Sequence, residues 1–500
     1  MTRRANHIHF KLGFLFSLAF CAVILLWTAA GPFSRAFRLM QINYNEGWNV
    51  YNTQRVAEHE LLYPSAYGWT AVNYPALSFH LVAALGRTTS DYLFTARILS
   101  LAALCLSGVF AGLIVWHTTR SAVAAWLNGL FLVAFFCSVG NYYVGVDDPQ
   151  ILAQAFFLAG LYVYLRGNRS CWALELTALL FVVGGNIKHN LIEFPLAVLL
   201  DLLFTSPHRA LRYAIGGGLM ATVSVLLTSH VDGGSYVSCL LTPRAYSSYH
   251  TLGNIFVLLV PALVPLLAAL LMACYCWRDP SRRVLALLMV CALVVDVYFS
   301  GGIGVSINGI FGSMLAITLL TGIFWAEFSK LPLGQVRALP QAAVCAIFFL
   351  WLVIPMSMLG DARLVKAMQR NRDAESRFAL EVDYLRQQPG PALCESLLRC
   401  AYAGKPFVYD PFNATRFITL GKLDANVIVD HLKRRDYRAV QLDGSVEQLL
   451  VSQDGKDRFA APILQAIQKY YRPGLTNEDG VIYLPVDSNQ QITQTLPSGQ

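Results

Sequence analysis

Charge is what this sequence has least of. Only 14% of its 500 residues are Asp, Glu, Lys or Arg, against about 25% in an ordinary soluble protein. That shortfall sets aside a disordered chain and a conventional cytosolic enzyme. The 11 cysteines include no CxxC pair, so the ligand spacing of a thiolate metal cluster is missing. The last third contains no Gly-rich phosphate loop, which leaves nucleotide binding there without support. No internal repeat is found. Lys and Arg number 38 against 30 Asp and Glu, a net +8. They are scattered singly or in pairs between apolar runs, a pattern that sets membrane topology and not one that tracks nucleic-acid phosphates.

What is abundant is apolar sequence: 56% of residues are hydrophobic and the mean hydropathy is +0.49. A bilayer core about 30 Å thick takes about 20 helical residues. Runs of this kind lie near 11–30, 92–116, 121–140, 148–165, 172–187, 190–204, 212–230, 251–276, 283–299, 306–328 and 338–359. The pattern predicts a polytopic α-helical membrane protein with about eleven transmembrane helices, the segment 190–204 being short for a crossing. The first run is too long for the core of a cleaved signal and reads as a retained anchor.

Cations assign the faces. With the N-terminus cytoplasmic, the inner loops hold Arg3, Arg4, Lys11, Arg120, Arg166, Arg169, Arg209, Arg212, Arg278, Arg282, Arg283, Lys330 and Arg337. The short outer loops hold little beyond Lys188 and Arg244. An odd number of spans then sends the C-terminus out. The expected organisation is a membrane domain over 1–360 with a large outer loop at 31–90, a small extracytoplasmic α/β domain over 361–487, and a disordered tail over 488–500. In the tail region, a polar-faced helix is expected at 363–386. Strands at 391–394, 407–410, 439–442 and 481–484 are expected to alternate with helices at 395–403, 425–435 and 461–470.

The outer loop is the chemically richest part. It reads Asn43-Tyr44-Asn45-Glu46-Gly47-Trp48, then Leu62-Tyr63, and ends Asn73-Tyr74-Pro75. A carboxylate just beyond a span lies where desolvation alters its basicity, so Glu46 is a candidate general base on a hydroxyl. The plainer alternative is a helix-capping Glu within an aromatic belt. Asp147-Asp148-Pro149 opens the fourth span. One Asp before Pro is a common helix start, but a tandem pair exceeds that need, and a role in binding substrate hydroxyls or a cation follows. Lys188-His189-Asn190 forms an outer hinge where Lys is otherwise scarce. It is read either as a snorkelling cation or as a partner for a lipid phosphate. Arg97 poses the same choice within the second span, with internal ion pairing as its alternative. Asp296 sits inside an apolar span ahead of the Gly-rich 301–304 stretch and Asn308; such a carboxylate needs pairing or a wet cavity. His250 has no partner at ligand spacing. Cys394 and Cys400 are expected to stay reduced, because a strand end and the following helix do not promise bridging geometry.

Taken in order, Asn45-Glu46-Gly47, Leu62-Tyr63, Asn73-Tyr74-Pro75, Ala96-Arg97-Ile98-Leu99-Ser100, Asp147-Asp148-Pro149, Gly160-Leu161-Tyr162, Lys188-His189-Asn190 and Phe194-Pro195-Leu196-Ala197 resemble the C-type membrane glycosyltransferases. The likeness is to bacterial relatives of protein O-mannosyltransferases and lipid A aminoarabinose transferases, including the lipopolysaccharide galacturonosyltransferase-like domain. In the tail, Gly390-Pro391-Ala392-Leu393-Cys394-Glu395, Ala403-Gly404-Lys405-Pro406 and Tyr409-Asp410-Pro411-Phe412 resemble the outer α/β appendage of many bacterial members. The family often has Asp-Glu where this chain has Asn45-Glu46, so only Glu46 inherits the carboxylate role. A Lys often precedes the late loop motif, but Gly301-Gly302-Ile303 before Ser306-Ile307-Asn308 offers none.

The resemblance implies a polyprenyl-phosphate sugar donor, an envelope lipid, polysaccharide or protein acceptor, and inverting transfer at the outer face of a bacterial inner membrane. Glu46 would be the base. Asp147, Asp148, Lys188, Arg97, His189, Tyr74 and Asn308 would bind substrate, with Lys188 or Arg97 facing the departing phosphate. No cofactor is demanded; a hard divalent cation on Glu46, Asp147 and Asp148 stays open. The rival reading is a transporter or flippase of a lipid-linked or polar solute, to which the Gly-rich break and Asp296 lend themselves. A non-catalytic scaffold whose tail binds partners is the third.

Overall fold

The computed structural model describes residues 2–330, 338–352, 364–452 and 458–486. In chain order the helices begin with α1 (Thr2–Ala36), α2 (Asn45–Ala57), α3 (Leu77–Thr89), α4 (Tyr92–Thr119), α5 (Ala122–Ser138), α6 (Gln150–Arg166) and α7 (Cys171–Ile187). They continue with α8 (Glu193–Thr205), α9 (Pro207–Asp232), α10 (Tyr236–Leu240), α11 (Ser248–Trp277), α12 (Arg283–Ser300), α13 (Phe311–Phe328) and α14 (Ala338–Trp351). The last third contains α15 (Leu364–Gln387), β1 (Ala392–Cys394), α16 (Leu397–Tyr402), α17 (Pro411–Thr419), α18 (Ala425–Arg434), β2 (Ala439–Leu442), α19 (Val446–Val451), α20 (Ala461–Tyr470), β3 (Tyr471–Asn477) and β4 (Gly480–Pro485).

The chain divides into two compact units. The first comprises 1–36, 97–226 and 243–367, the second 37–96, 227–242 and 368–500.

The first unit is the membrane bundle. Every apolar run picked out in the sequence contains a helix, the last in its described part. Among the described residues, six helices are long and apolar enough to cross a bilayer by length and composition, and α5, α6 and α7 are shorter apolar helices. Leu, Val and Phe side chains point outward along α9 and α11, among them Leu219, Val223, Leu252 and Phe256. Such a surface would be a liability in water but is the expected face toward lipid. Inside the bundle, aromatic rings interlock, with Phe131 edge-on to Trp325 and Phe349. One end is tied by ion pairs: Arg169 donates to Asp201, which also accepts from the Tyr164 hydroxyl, and Arg282 donates to Glu327.

The second unit is an α/β domain. Its sheet runs β1-β2-β4-β3, with β1 parallel to β2 and the other pairs antiparallel. Leu393, Val440, Leu442 and Tyr483 from the strands meet Ile428, Leu432, Ile463 and Ile467 from the helices in a closed core. Segments distant in sequence join it. Tyr63 donates its N–H to the Asp232 carbonyl, and Asp410 donates its N–H to the Trp69 carbonyl.

Two expectations for this domain are corrected. Residues 407–410 form no strand, because Asp410 turns to cap α17: its Oδ1 accepts the N–H groups of Phe412 and Asn413 at 3.1 Å, with Pro411 preset for the first helical position. Cys394 and Cys400 are bonded, not reduced. The turn after β1 folds α16 back over the strand end and brings the two Cα atoms to 6.1 Å, a bridgeable separation. β3, α17 and α19 are elements that the sequence pattern left unassigned. The expected disorder of 488–500 lies outside the described residues.

Candidate active site

Chemistry-bearing side chains gather in two places, one in each unit. In the second unit the chain leaves residue 41 and enters α2 through Asn45-Glu46. Glu46 is 0% exposed. Its Oε2 accepts the N–H of Ile42 at 2.7 Å and that of Asn43 at 3.3 Å, so backbone dipoles set the direction of the carboxylate. Around it, Tyr74 lies edge-on to Trp48 at 5.0 Å, with its hydroxyl 3.5 Å from Asn45 Nδ2. The Tyr74 carbonyl is held by the Tyr63 hydroxyl at 2.7 Å. Asn73 donates to Asn413 at 3.3 Å. The Arg458 guanidinium stacks 3.2 Å over the Tyr44 ring. Below this, at the C-terminal ends of the parallel strands, Glu395 accepts the N–H of Asp443. Burial, then the Asp443 charge, push its carboxyl up to about 7. Burial likewise raises Asp410.

The second cluster lies in the membrane unit, where the loops before α6, between α7 and α8, before α11 and after α12 converge. Asp148 Oδ1 caps α6 by accepting the Gln150 N–H at 2.9 Å, while its Oδ2 lies 3.9 Å from Lys188 Nζ. The helix-start explanation therefore covers one oxygen of Asp148 and leaves the other for the lysine. Asp147 is buried beside it. Lys188, in the turn beyond α7, is pushed down to about 8, by burial first, with Asp148 opposing and Arg244 adding. His189 is pushed down to about 4 by burial and by the Lys188 and Arg244 charges. It is therefore a neutral hydrogen-bonding group at pH 7 and not a third cation. Asn308 Oδ1 accepts the Ser306 N–H at 3.2 Å and shapes the 301–308 loop, which an antiparallel bridge joins to Tyr246. Arg97 is buried in the second turn of α4.

The sequence pattern does not mark Arg244 as a site residue, although with Lys188 it is one of the few cations in the short loops expected outside, and that isolation is the signal that points to it. Glu193 was also passed over. It is fully buried, and it and Asp296 both abut Gly312 in the first turn of α13. Asp296 caps that helix, its Oδ2 accepting the Ser313 N–H at 2.6 Å, which accounts for a carboxylate inside an apolar span. A groove of about 1190 Å³ between α1, α4 and α5, lined by Trp27, Trp116 and Trp126, is almost wholly apolar and holds no charged side chain among the described residues. For a divalent cation the fit is poor. Among the described residues no three His, Cys, Asp or Glu side chains gather to hold one, and Glu46 Oε2 is committed to two backbone N–H groups.

No family model matches the sequence, and no curated protein matches it. Solved structures do match its fold. ArnT from Cupriavidus metallidurans, crystallised with undecaprenyl phosphate, is similar over 95% of this chain and 99% of its own, with a TM-score of 0.59 and 14% identity. The oligosaccharyltransferase of Archaeoglobus fulgidus, tethered to an acceptor peptide, is similar over 94% of this chain and 74% of its own, with a TM-score of 0.52 and 12% identity. The same archaeal protein, AglB, with an inhibitory peptide and a dolichol-phosphate, gives 0.51 at 12% identity over 95% of this chain. This multi-pass membrane chain therefore has the fold of the C-type membrane glycosyltransferases.

Proposed function

We propose that the protein is a glycosyltransferase that moves a hexosyl or pentosyl group from a polyprenyl-phosphate donor to a hydroxyl of an extracytoplasmic envelope lipid, polysaccharide or protein. The observation that carries the reading is the fold shared along nearly the whole chain with a structure holding undecaprenyl phosphate. Glu46 takes the proton of the acceptor hydroxyl. The freed electron pair forms the new bond to the anomeric carbon from the face opposite the phosphate, and the configuration inverts. The bond from that carbon to the phosphate oxygen breaks, and the phosphate leaves with its electrons. Lys188 and Arg244 supply positive charge to that anion, Lys188 as a compact point charge and Arg244 as a planar fork. Arg97, Asp147, Asp148, His189 and Asn308 bind the donor, and Tyr74 the acceptor side. No step is routed through a metal ion.

The Cys394–Cys400 bond supports an oxidising compartment for the second unit. It agrees with a cytoplasmic N-terminus and a periplasmic C-terminal domain in a bacterial inner membrane. Glu46→Gln is expected to reach the membrane in normal amount yet lose transfer from a synthetic polyprenyl-phosphate sugar by about 10²-fold or more. The assay is run in detergent, where no gradient exists to drive transport. A wild-type rate in that variant would remove Glu46 as the base. Mass analysis of envelope glycolipids from a deletion strain then identifies the sugar and the acceptor.

A further inference from the structure

Residues 396–407, from the turn after β1 to the segment beyond α16, touch the Glu46 segment at three successive points. Gln41 immediately precedes the backbone that holds the Glu46 carboxylate, and its Nε2 donates to Ser396 Oγ at 3.2 Å. Ser396 is itself fixed: its N–H donates to Gln441 Oε1 at 2.9 Å and its hydroxyl to Asp443 at 2.7 Å. Next, a Cβ on Gly47 would collide with the backbone nitrogen of Leu398, so the first turns of α2 and α16 meet main chain to main chain. One turn further, on the same face of α2, the Tyr51 hydroxyl donates to the Lys405 carbonyl at 2.8 Å and its ring stacks on Phe407 at 4.7 Å.

All three contacts come from residues 396–407. With three residues in β1 and six in α16, too few for a self-sufficient helix, this piece depends on tertiary contacts, which also include Arg399 with Glu381 and Lys405 with the Gln388 carbonyl. The Cys394–Cys400 bond closes the loop containing Ser396, Leu397 and Leu398.

We propose that the disulfide-braced turn 394–400 is a positioning clamp for Glu46, acting through the Gln41–Ser396 hydrogen bond and the Gly47–Leu398 contact. The inference rests on the transfer reaction proposed above. The aim of a base matters: a displacement of about 1 Å in an active site costs about 10²-fold in rate. Gln41, Gly47, Ser396 and the cystine touch no reacting atom in this scheme; they act through Glu46.

The test compares the intact full-length protein with Cys394→Ala/Cys400→Ala and with Gln41→Met, which keeps the cystine and removes only the donor. Two readings are taken in detergent. The first is kcat and donor KM for transfer from a synthetic polyprenyl-phosphate sugar. Each variant is expected to lose about 10-fold or more in kcat with donor KM unchanged. The combined variant is expected to lose less than the product of the two losses, because both changes release the same clamp. The second is amide hydrogen exchange, which needs no turnover. Residues 41–51 are expected to exchange about 10-fold faster in the cystine variant while β2 and β4 keep their protection. Unchanged exchange over 41–51 overturns the clamp, as does an unchanged kcat in both variants. Faster exchange there, with a wild type that transfers no sugar, leaves the clamp standing and removes the proposed reaction instead.

Discussion

At the scale of single residues, Glu395 shows how the fold spends charge. Its carboxyl is raised from the ordinary 4.5 to about 7, by burial first and by Asp443 second. Between those values the folded protein keeps a proton that the unfolded chain has released. Stability therefore falls as pH rises from about 4.5 to about 7, by up to roughly 3 kcal/mol, and is level above. The melting temperature of the full-length protein in detergent is expected to decline over that window, and Glu395→Gln is expected to flatten the decline. A wild-type melting temperature constant between pH 5 and 7 would show that Glu395 does not hold the proton. Glu46 itself was legible in the sequence because its neighbours Asn45, Gly47 and Tyr74 form a pattern. Lys188 stood out as a rare cation in its setting. Arg244 carries the same signal of isolation as Lys188, whereas Glu193 has meaning only through Asp296, about a hundred residues later in the chain.

At the scale of elements, hydrophobic period was a good guide to the helices of the bundle and a poor one at the hand-over from loop to helix. Val408 and Tyr409 are apolar and β-prone, so 407–410 read as a strand. Asp410 decides otherwise, by accepting three hydrogen bonds from Phe412 and Asn413. Removing it in Asp410→Ala uncaps α17 and leaves buried N–H groups unpaired. A loss of about 1–3 kcal/mol is expected, read as a lowered denaturation midpoint, with Asp410→Asn recovering most of it. The Cys394–Cys400 bond is hidden from the sequence pattern for a related reason. Strand and helix were each assigned correctly, but the tightness of the turn joining them, which sets the Cα separation, is not written in either element's period.

At the scale of the whole molecule, the cation-rich loops and the α/β domain are expected on opposite sides of the membrane. A cysteine placed at exposed Arg278 is expected to react with an impermeant maleimide only after lysis, and one at exposed Lys433 before it. The reverse order would invert the topology and put Glu46 in the cytosol. The apolar runs made the helices of the bundle readable. They did not reveal that residues 37–96, 227–242 and 368–500 form a single compact unit, because nothing local in those segments announces the others.

That discontinuity has a consequence for how the protein is made. Gln41 and Tyr51 find their hydrogen-bond partners 355 and 354 residues later in the chain. At about 5–20 residues per second, a ribosome needs roughly 20–70 s to cover that stretch. During that interval Gln41 and Tyr51 have emerged without the groups that later hold them. Biogenesis thus includes an obligatory wait, and ribosomes that stall or terminate ahead of the last hundred residues should release chains whose early ectodomain is open to proteases and chaperones.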